Sequence, residues 1–458
     1  NLKLRLSYGT SGSDNISSNL WRETWSSLGS GSNHTPINGE LGSFYRPDGL
    51  LANSKLKWET TISRNFGIDF GFLNNRVNGS LEVYWNTTKD LLMAVPVDNT
   101  TGYSYQFQNF GKTSNRGIEL SVNVDVINKG DFRFNVGAIY NYNRNKLDEL
   151  PNADQYLYSS YWGSSSLVPT NDYMFVEGKA IGLVRGFISE GYYTVDDFNY
   201  TNGQYVLKEG VPDITKALTA TYMHPYDLPA GQTAFPGAAK FRDVDESGTV
   251  DLDDATCLGE VMPRHTGSFQ LNFNYKNFDL STNFNWTAGG KVYNVAAMIN
   301  ASGQEFDGIG AQRASWVADA FKVYNVNAAG DLYAVTNPDE LRALNANAKY
   351  HLPYHQSGIT SSEWLENGSY LRLQTLTLGY TLPKNWLTKV HVDKIRLYLT
   401  ATNLFTITGY SGIDPEVNAN PTGQSGFYSD LRIFPTLNMD FGTYPRARTF
   451  TFGANITF

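Results

Sequence analysis

The stretch FGIDFGFLNNRVNGSLEVYW, residues 66–85, decides the fold class. Phe66, Ile68, Phe70 and Phe72 alternate with Gly67, Asp69 and Gly71, so one side of the segment is apolar and the other is not. A period of two belongs to an extended strand. Asn74 and Asn75 then supply a tight turn, and the chain returns with Val77, Leu81, Val83 and Trp85 set against Asn78, Ser80, Glu82 and Tyr84. The spacing predicts a hairpin with one apolar face.

Working outward, the pattern recurs. Ile118, Leu120, Val122, Val124 and Val126 alternate with Glu119, Ser121, Asn123 and Asp125, and the chain crosses Asn128-Lys129-Gly130-Asp131 to Phe132, Phe134, Val136, Ala138, Tyr140 and Tyr142. A third hairpin runs over 269–275, turns at Lys276-Asn277 and continues through Phe278, Leu280, Phe284 and Trp286. Further strands are expected near 2–11, 57–73, 370–382, 394–408 and 446–458. A large soluble β-sandwich or propeller would also alternate, but three features favour a membrane barrel. The runs hold about 9 to 14 residues, the length a tilted strand needs to cross a bilayer, whereas soluble strands average ~5 to 6. Short and long connections alternate. Aromatic residues collect at strand ends, as Tyr140, Tyr142 and Trp286 do, which suits interfacial belts.

Composition agrees. A mean hydropathy of -0.36 resembles that of a soluble protein, yet alternating faces average to neutral in a barrel. No run approaches the roughly 20 apolar residues of a membrane helix. One cysteine, Cys257, excludes an internal disulfide framework. A net charge of -8 with no basic stripe argues against nucleic acid as partner. If the short turns are periplasmic, parity makes the region 148–264 a long extracellular loop, with the strand-like run 175–194 a raised element. That gives ten crossings, with further long loops near 291–368 and 409–444.

Several stretches resemble the SusC/RagA family of TonB-dependent outer-membrane transporters: LKLRLSYGTSGSDNI (2–16), LKWETTISRNFGIDFGFLNNRVNGSLEVYWNTTKDLL (56–92), NFGKTSNRGIELSV (109–122), GSYLRLQTLTLGYTLPKNW (368–386), IRLYLTATNLFTITGYSGIDPEV (395–417) and the closing PRARTFTFGANITF. The resemblance implies an all-β transmembrane antiparallel barrel of 22 strands, of which the chain is similar to about the last ten. It implies an N-terminal plug and a TonB box, expected to lie outside this sequence, and contact with the lipid and lipopolysaccharide of the bacterial outer membrane. It also implies import of an oligosaccharide or peptide with a SusD-like surface lipoprotein as lid. A passive porin or an adhesive barrel is the alternative function.

Two candidate sites follow from the residues. DVDESGTVDLDD, residues 243–254, has the spacing of a twelve-residue calcium loop, with Asp243, Asp245, Ser247, the Thr249 carbonyl, Asp251 and Asp254 as oxygen ligands to Ca²⁺ and Gly248 at the sharp turn. Aromatic residues of the outer loops, Trp21, Trp25, Tyr103, Tyr105, Tyr158, Tyr161 and Trp162, could stack on sugar rings or peptide side chains, although the same residues also pack loops together. His351 and His355 have i, i+4 spacing, but Pro353 between them spoils the helix, so they read as loop histidines. No Ser/His/Asp set suggests an enzyme.

Overall fold

The computed structural model describes the chain except residues 14–19, 24, 28–35, 38–39, 42–44, 48–49, 104, 151–154, 160–166, 220–223, 303–313, 353–357, 388–391 and 418–436. Its centre is one antiparallel sheet of ten strands. They are β1 (Leu2–Ser13), β2 (Glu59–Phe72), β3 (Val77–Lys89), β4 (Lys112–Lys129), β5 (Phe132–Glu149), β6 (His265–Tyr275), β7 (Phe278–Ala288), β8 (Tyr370–Thr381), β9 (Lys394–Thr408) and β10 (Thr449–Thr457). Each pairs with its neighbours in chain order, the meander expected of an up-and-down barrel wall. The expected strands are all present, with edges shifted by a few residues.

The register carries one apolar face through all ten strands. Leu4 lies opposite Ile68, Ile68 opposite Leu81, and Leu81 opposite Leu120. Leu120 then faces Tyr140, Tyr140 faces Gly267, and Gly267 faces Trp286. Bulges at 125–127, 283–284 and 373–375 absorb an extra residue without handing the apolar set to the other side. Phe66, Phe70, Val83, Val122, Phe134, Phe273 and Phe452 all fall on this face. Phe134 stacks on Phe273 at 4.3 Å between ring centres and Phe269 on Phe284 at 4.6 Å, cross-strand pairs that fix the register.

Aromatic residues of this face form two belts. Phe72, Phe132, Tyr275, Phe278 and Tyr380 lie beside the short turns, and Trp85, Tyr140, Tyr142 and Trp286 lie near the opposite end. Phe278 and Trp286 are eight residues apart, ~27 Å along a strand. A tilt of about 40° reduces this to roughly 21 Å, close to the ~25 Å apolar band of an outer-membrane barrel.

The opposite face is polar and cross-linked. Arg5 on β1 bridges Asp69 on β2 at 2.7 Å and Glu82 on β3 at 2.6 Å, and Asn65 donates to Glu82 at 2.9 Å. Arg396 on β9 pairs with Asp279 on β7 across Gly379 of β8, where a side chain would collide with both partners. Thr377 and Thr400 hydrogen-bond at 2.9 Å.

Short connections (73–76, 130–131, 276–277 and 382–393) leave one end of the sheet, and long ones (14–58, 90–111, 150–264, 289–369 and 409–448) leave the other. The last short connection carries a one-turn helix, Lys384–Leu387, which the alternation does not announce. Since β5 pairs directly with β6, the region between them contributes no strand to the large sheet among the described residues. The run near 175–194 lies outside the ten-stranded sheet: Tyr173–Val176 and Leu183–Gly186 lie in a small four-stranded sheet with Gln155–Tyr158 and Thr256–Glu260. The two larger buried cores sit in this loop layer, beside a small cluster of Val292, Tyr410 and Val417. One gathers Tyr173, Tyr293, Met298, Trp316 and Trp364; the other gathers Phe187, Tyr193, Phe235, Phe241 and Val250.

Candidate functional site: the loop layer over the sheet

A buried ion cluster ties the loops to the polar face. Arg372, 1% exposed, projects from β8 and meets Asp414, Glu416 (2.9 Å) and the Thr406 hydroxyl (3.0 Å). Glu416 also holds Arg446 at 2.7 Å. A guanidinium so deeply buried is tolerable only when paired and hydrogen-bonded on several sides, so residues 414–416 are clamped across the strand tops.

The acidic loop 243–254 folds on its own backbone amides. The carboxylate of Asp254, fully buried, accepts from the N–H groups of Val244 (2.6 Å), Asp245 (3.3 Å) and Asp251 (2.8 Å). Asp243 accepts from Ser247 and Gly248, and Asp245 accepts from Ser247, which holds the Asp245 carboxyl below its usual range. Carboxylate oxygens of Asp243, Asp245 and Asp254 all lie within 4.8 Å of one another. Oxygens at 2.3–2.6 Å from one cation lie at most about 5 Å apart, so these three fit a single Ca²⁺. Asp251 instead caps the turn Leu252–Asp254, accepting from the Asp253 N–H, and the Ser247 hydroxyl donates to the Thr249 carbonyl at 3.0 Å. Residues 249–250 pair in parallel with 213–214, anchoring the loop's far side to the second core.

The aromatic candidates scatter. Trp21 and Trp25 are exposed at 59% and 57%. Tyr103 and Tyr105 are half-buried. Tyr158 is buried against Tyr173 and Phe175, with ring centres 5.6 and 4.8 Å away, so it packs the loop layer. Tyr161, Trp162 and His355 lie outside the described residues. His351 is buried, and its Nδ1 lies 2.8 Å from the Leu352 carbonyl.

The structure gathers a different aromatic set. A cavity of about 270 Å³ opens between helix α1 (Val295–Ser302), helix α2 (Ala314–Asp319) and residues 362–366. Trp316 stacks on Tyr350 at 5.2 Å, Trp364 closes another wall, and Glu363 and Glu366 supply carboxyl groups. Glu366 is saturated by Asn294 (2.7 Å) and by the Ser411 amide and hydroxyl (both 2.7 Å). Burial pushes the Glu363 carboxyl up to about 7 and the neighbouring His351, 3.8 Å away, down to about 4. Sequence reasoning missed these residues because Trp316, Tyr350 and Glu363 share no spacing; only the helices and the turn 362–364 bring them together.

A family model described as TonB dependent receptor-like, beta-barrel matches residues 1–404. The chain belongs to this family. Its ten-stranded sheet is therefore a bacterial outer-membrane barrel wall, and the chain crosses that membrane with strands. TonB-dependent receptor P3 of Formosa agariphila is 30% identical over 457 residues, covering all of this chain and 39% of that protein. TonB-dependent receptor SusC of Bacteroides thetaiotaomicron is 27% identical over 467 residues, again covering all of this chain and 37% of that protein. The structure of the RagAB peptide transporter matches with a TM-score of 0.67 at 22% identity, over all of this chain and 41% of that one, and shows the shared fold. The chain thus spans about two-fifths of the length of the relatives it matches.

Proposed function

We propose that the chain forms the wall and outer loops of an active importer of SusC type, taking up an oligosaccharide or peptide with energy delivered by TonB to the N-terminal part of the whole transporter. The observation that carries this reading is the pair of opposed faces: a continuous apolar face for lipid, and a polar, ion-paired face for a lumen. Long loops at one end, stiffened by two cores and the Arg372 cluster, would face the cell exterior and receive a SusD-like lipoprotein lid. Ca²⁺ held by Asp243, Asp245 and Asp254 would brace the same layer, neutralising carboxylates set close together.

Deleting the gene should abolish uptake of the native oligosaccharide or peptide, and dissipating the proton-motive force in wild-type cells should do the same. Purification in mild detergent should recover the lipoprotein with the transporter. Uptake that persists without a proton-motive force, with the barrel purified alone, would favour a passive porin instead.

A further inference from the structure

The lipid-side face of the sheet changes character toward the long connections. In register, Tyr8 on β1 pairs with Arg64 on β2, Arg64 with Trp85 on β3, Trp85 with Arg116 on β4, and Arg116 with Arg144 on β5. Paired residues of an antiparallel sheet share a face, so the three arginines stand in one row on the side that carries Leu4, Ile68 and Leu120, beside a tryptophan of the aromatic belt. All three are exposed. Arg116 and Arg144 are direct cross-strand partners, with Cα atoms roughly 4.5–5.5 Å apart. Like charges so placed destabilise a strand pair unless an anion compensates them. The sheet supplies none at the neighbouring positions. The row above (Thr10, Ile62, Thr87, Ser114, Lys146) and the row below (Leu6, Phe66, Val83, Ile118, Tyr142) hold no Asp or Glu. Lysines nearer the loops are neutralised, Lys112 by Glu149 at 2.9 Å and Lys146 by Asp148 at 3.3 Å, whereas the three arginines form no ion pair among the described residues. Arg64 donates to a neutral partner, the Thr87 hydroxyl, at 3.4 Å.

We propose that Arg64, Arg116 and Arg144 hold the phosphorylated headgroup of an outer-leaflet glycolipid against the outside of the barrel wall. A guanidinium fork binds phosphate oxygens bidentately, and a phosphate shared by Arg116 and Arg144 removes their mutual repulsion. Arg64, two strands from Arg116 and roughly 10 Å away, contacts the same headgroup from its other side. The row below completes a site for an amphiphile. Phe66, Val83 and Ile118 lie directly beneath the arginines, on the same face, where acyl chains run along the strands. A basic cluster bordering a membrane-facing apolar surface suits an anionic lipid headgroup. A free anion gains nothing from the apolar row, and a ligand of the lumen meets the other side of the sheet. The proposal therefore commits to a lipid.

The inference rests on the reading that turns the long connections to the cell exterior, since that places the arginines at the outer leaflet. The test uses the whole barrel protein, purified from outer membranes and stripped of native lipid by prolonged detergent exchange, with lipid A as the probe in thermophoresis. Phosphorylated lipid A should bind, and the same lipid A freed of phosphate should bind about tenfold more weakly. Arg116→Gln with Arg144→Gln should weaken binding of the phosphorylated form about tenfold. Lys129→Gln with Arg133→Gln, which removes equal charge from exposed positions at the other end of β4 and β5, should leave it unchanged. Inorganic phosphate in large excess should not displace the lipid. Heat-modifiable migration on gels checks folding. Arg116→Lys with Arg144→Lys, which keeps the charge and loses the fork, should also weaken binding and carries the test if the Gln pair does not fold. No binding of phosphorylated lipid A, equal affinity for both lipid forms, equal loss in the Gln pairs at the two ends, or displacement by inorganic phosphate would each overturn the site. Binding in detergent does not depend on orientation, so such a failure leaves import and sidedness untouched. Impermeant labelling of Asn202→Cys only after cell lysis would instead overturn the sidedness, and with it the leaflet assigned to the lipid.

Discussion

At the scale of single residues, the loop layer contains two titrating groups with opposed effects. Glu363, pushed up to about 7 from 4.5, keeps a proton in the folded state that the unfolded chain releases, so its contribution to stability declines as pH rises from about 4.5 to 7. His351, pushed down to about 4 from 6.5, stays neutral where the unfolded chain takes a proton, so its contribution declines as pH falls from 6.5 to about 4. Between pH 4.5 and 6.5 the two offset each other. Glu363→Gln should expose the His351 term: protection of residues 314–319 and 358–366 in hydrogen exchange, corrected for the intrinsic pH effect, should climb from pH 4.5 to 6.5 in the variant and stay nearly level in the wild type. A level profile in both would show that the carboxyl is not buried in its neutral form. The acidic loop makes a second residue-scale prediction. Asp243→Ala with Asp245→Ala should raise protease cleavage within 243–254 to the level that a Ca²⁺ chelator produces in the wild type, with the barrel still folded. A chelator without effect on the wild-type loop would leave it an acidic turn held only by its backbone amides.

Strands add what no residue has alone, a side. Leu376 on β8 lies between Thr282 on β7 and Ala401 on β9, midway between the aromatic belts and on the lipid face, while its neighbour Thr377 faces the lumen beside Thr400. In the whole barrel protein, Leu376→Arg should lower folding stability in lipid vesicles by about 2–4 kcal/mol, and Thr377→Arg by far less, measured by denaturant unfolding. Equal losses at the two positions would contradict the assignment of faces. Close strand packing also explains Gly267, where a Cβ would come within 2.4 Å of the Ile139 carbonyl and 2.7 Å of the Trp286 ring. Its missing side chain lets the indole of a belt residue lie flat on the neighbouring strand.

For the whole molecule, the consequence is sidedness. All five long connections leave the same end of the sheet, so one labelled position reports on the entire loop layer. Asn202 sits at the exposed tip of the hairpin formed by Phe198–Thr201 and Gln204–Leu207, with φ near 53°. With Cys257→Ser removing the native thiol, Asn202→Cys in intact cells should react with a membrane-impermeant maleimide. Labelling only after lysis would invert the topology and take the long connections, the acidic loop 243–254 among them, to the periplasmic side.

The barrel wall was legible in the sequence because a membrane strand must repeat its choice of side every second residue for about ten residues, and lipid on one side with a polar lumen on the other enforces that choice. Phe66–Phe72 and Val77–Trp85 state it without help from the rest of the chain. The calcium-type spacing was legible for the same reason, since its residues are neighbours in one loop, although only the folded loop turns Asp251 to a capping role while Asp254 joins Asp243 and Asp245. The loop layer was not legible. Arg372 meets Asp414 and Glu416 across 42 and 44 residues, and Tyr293 meets Thr360 across 67. Such contacts carry no period, and the short helices α1 and α2 are too brief to show one against the surrounding polar chain. What the tertiary structure decided was which aromatic residues line a cavity and which merely pack: long connections from one end of the sheet must bury their own apolar residues against each other, and that packing selected Trp316, Tyr350 and Trp364 to surround a space and placed Tyr158 inside a core.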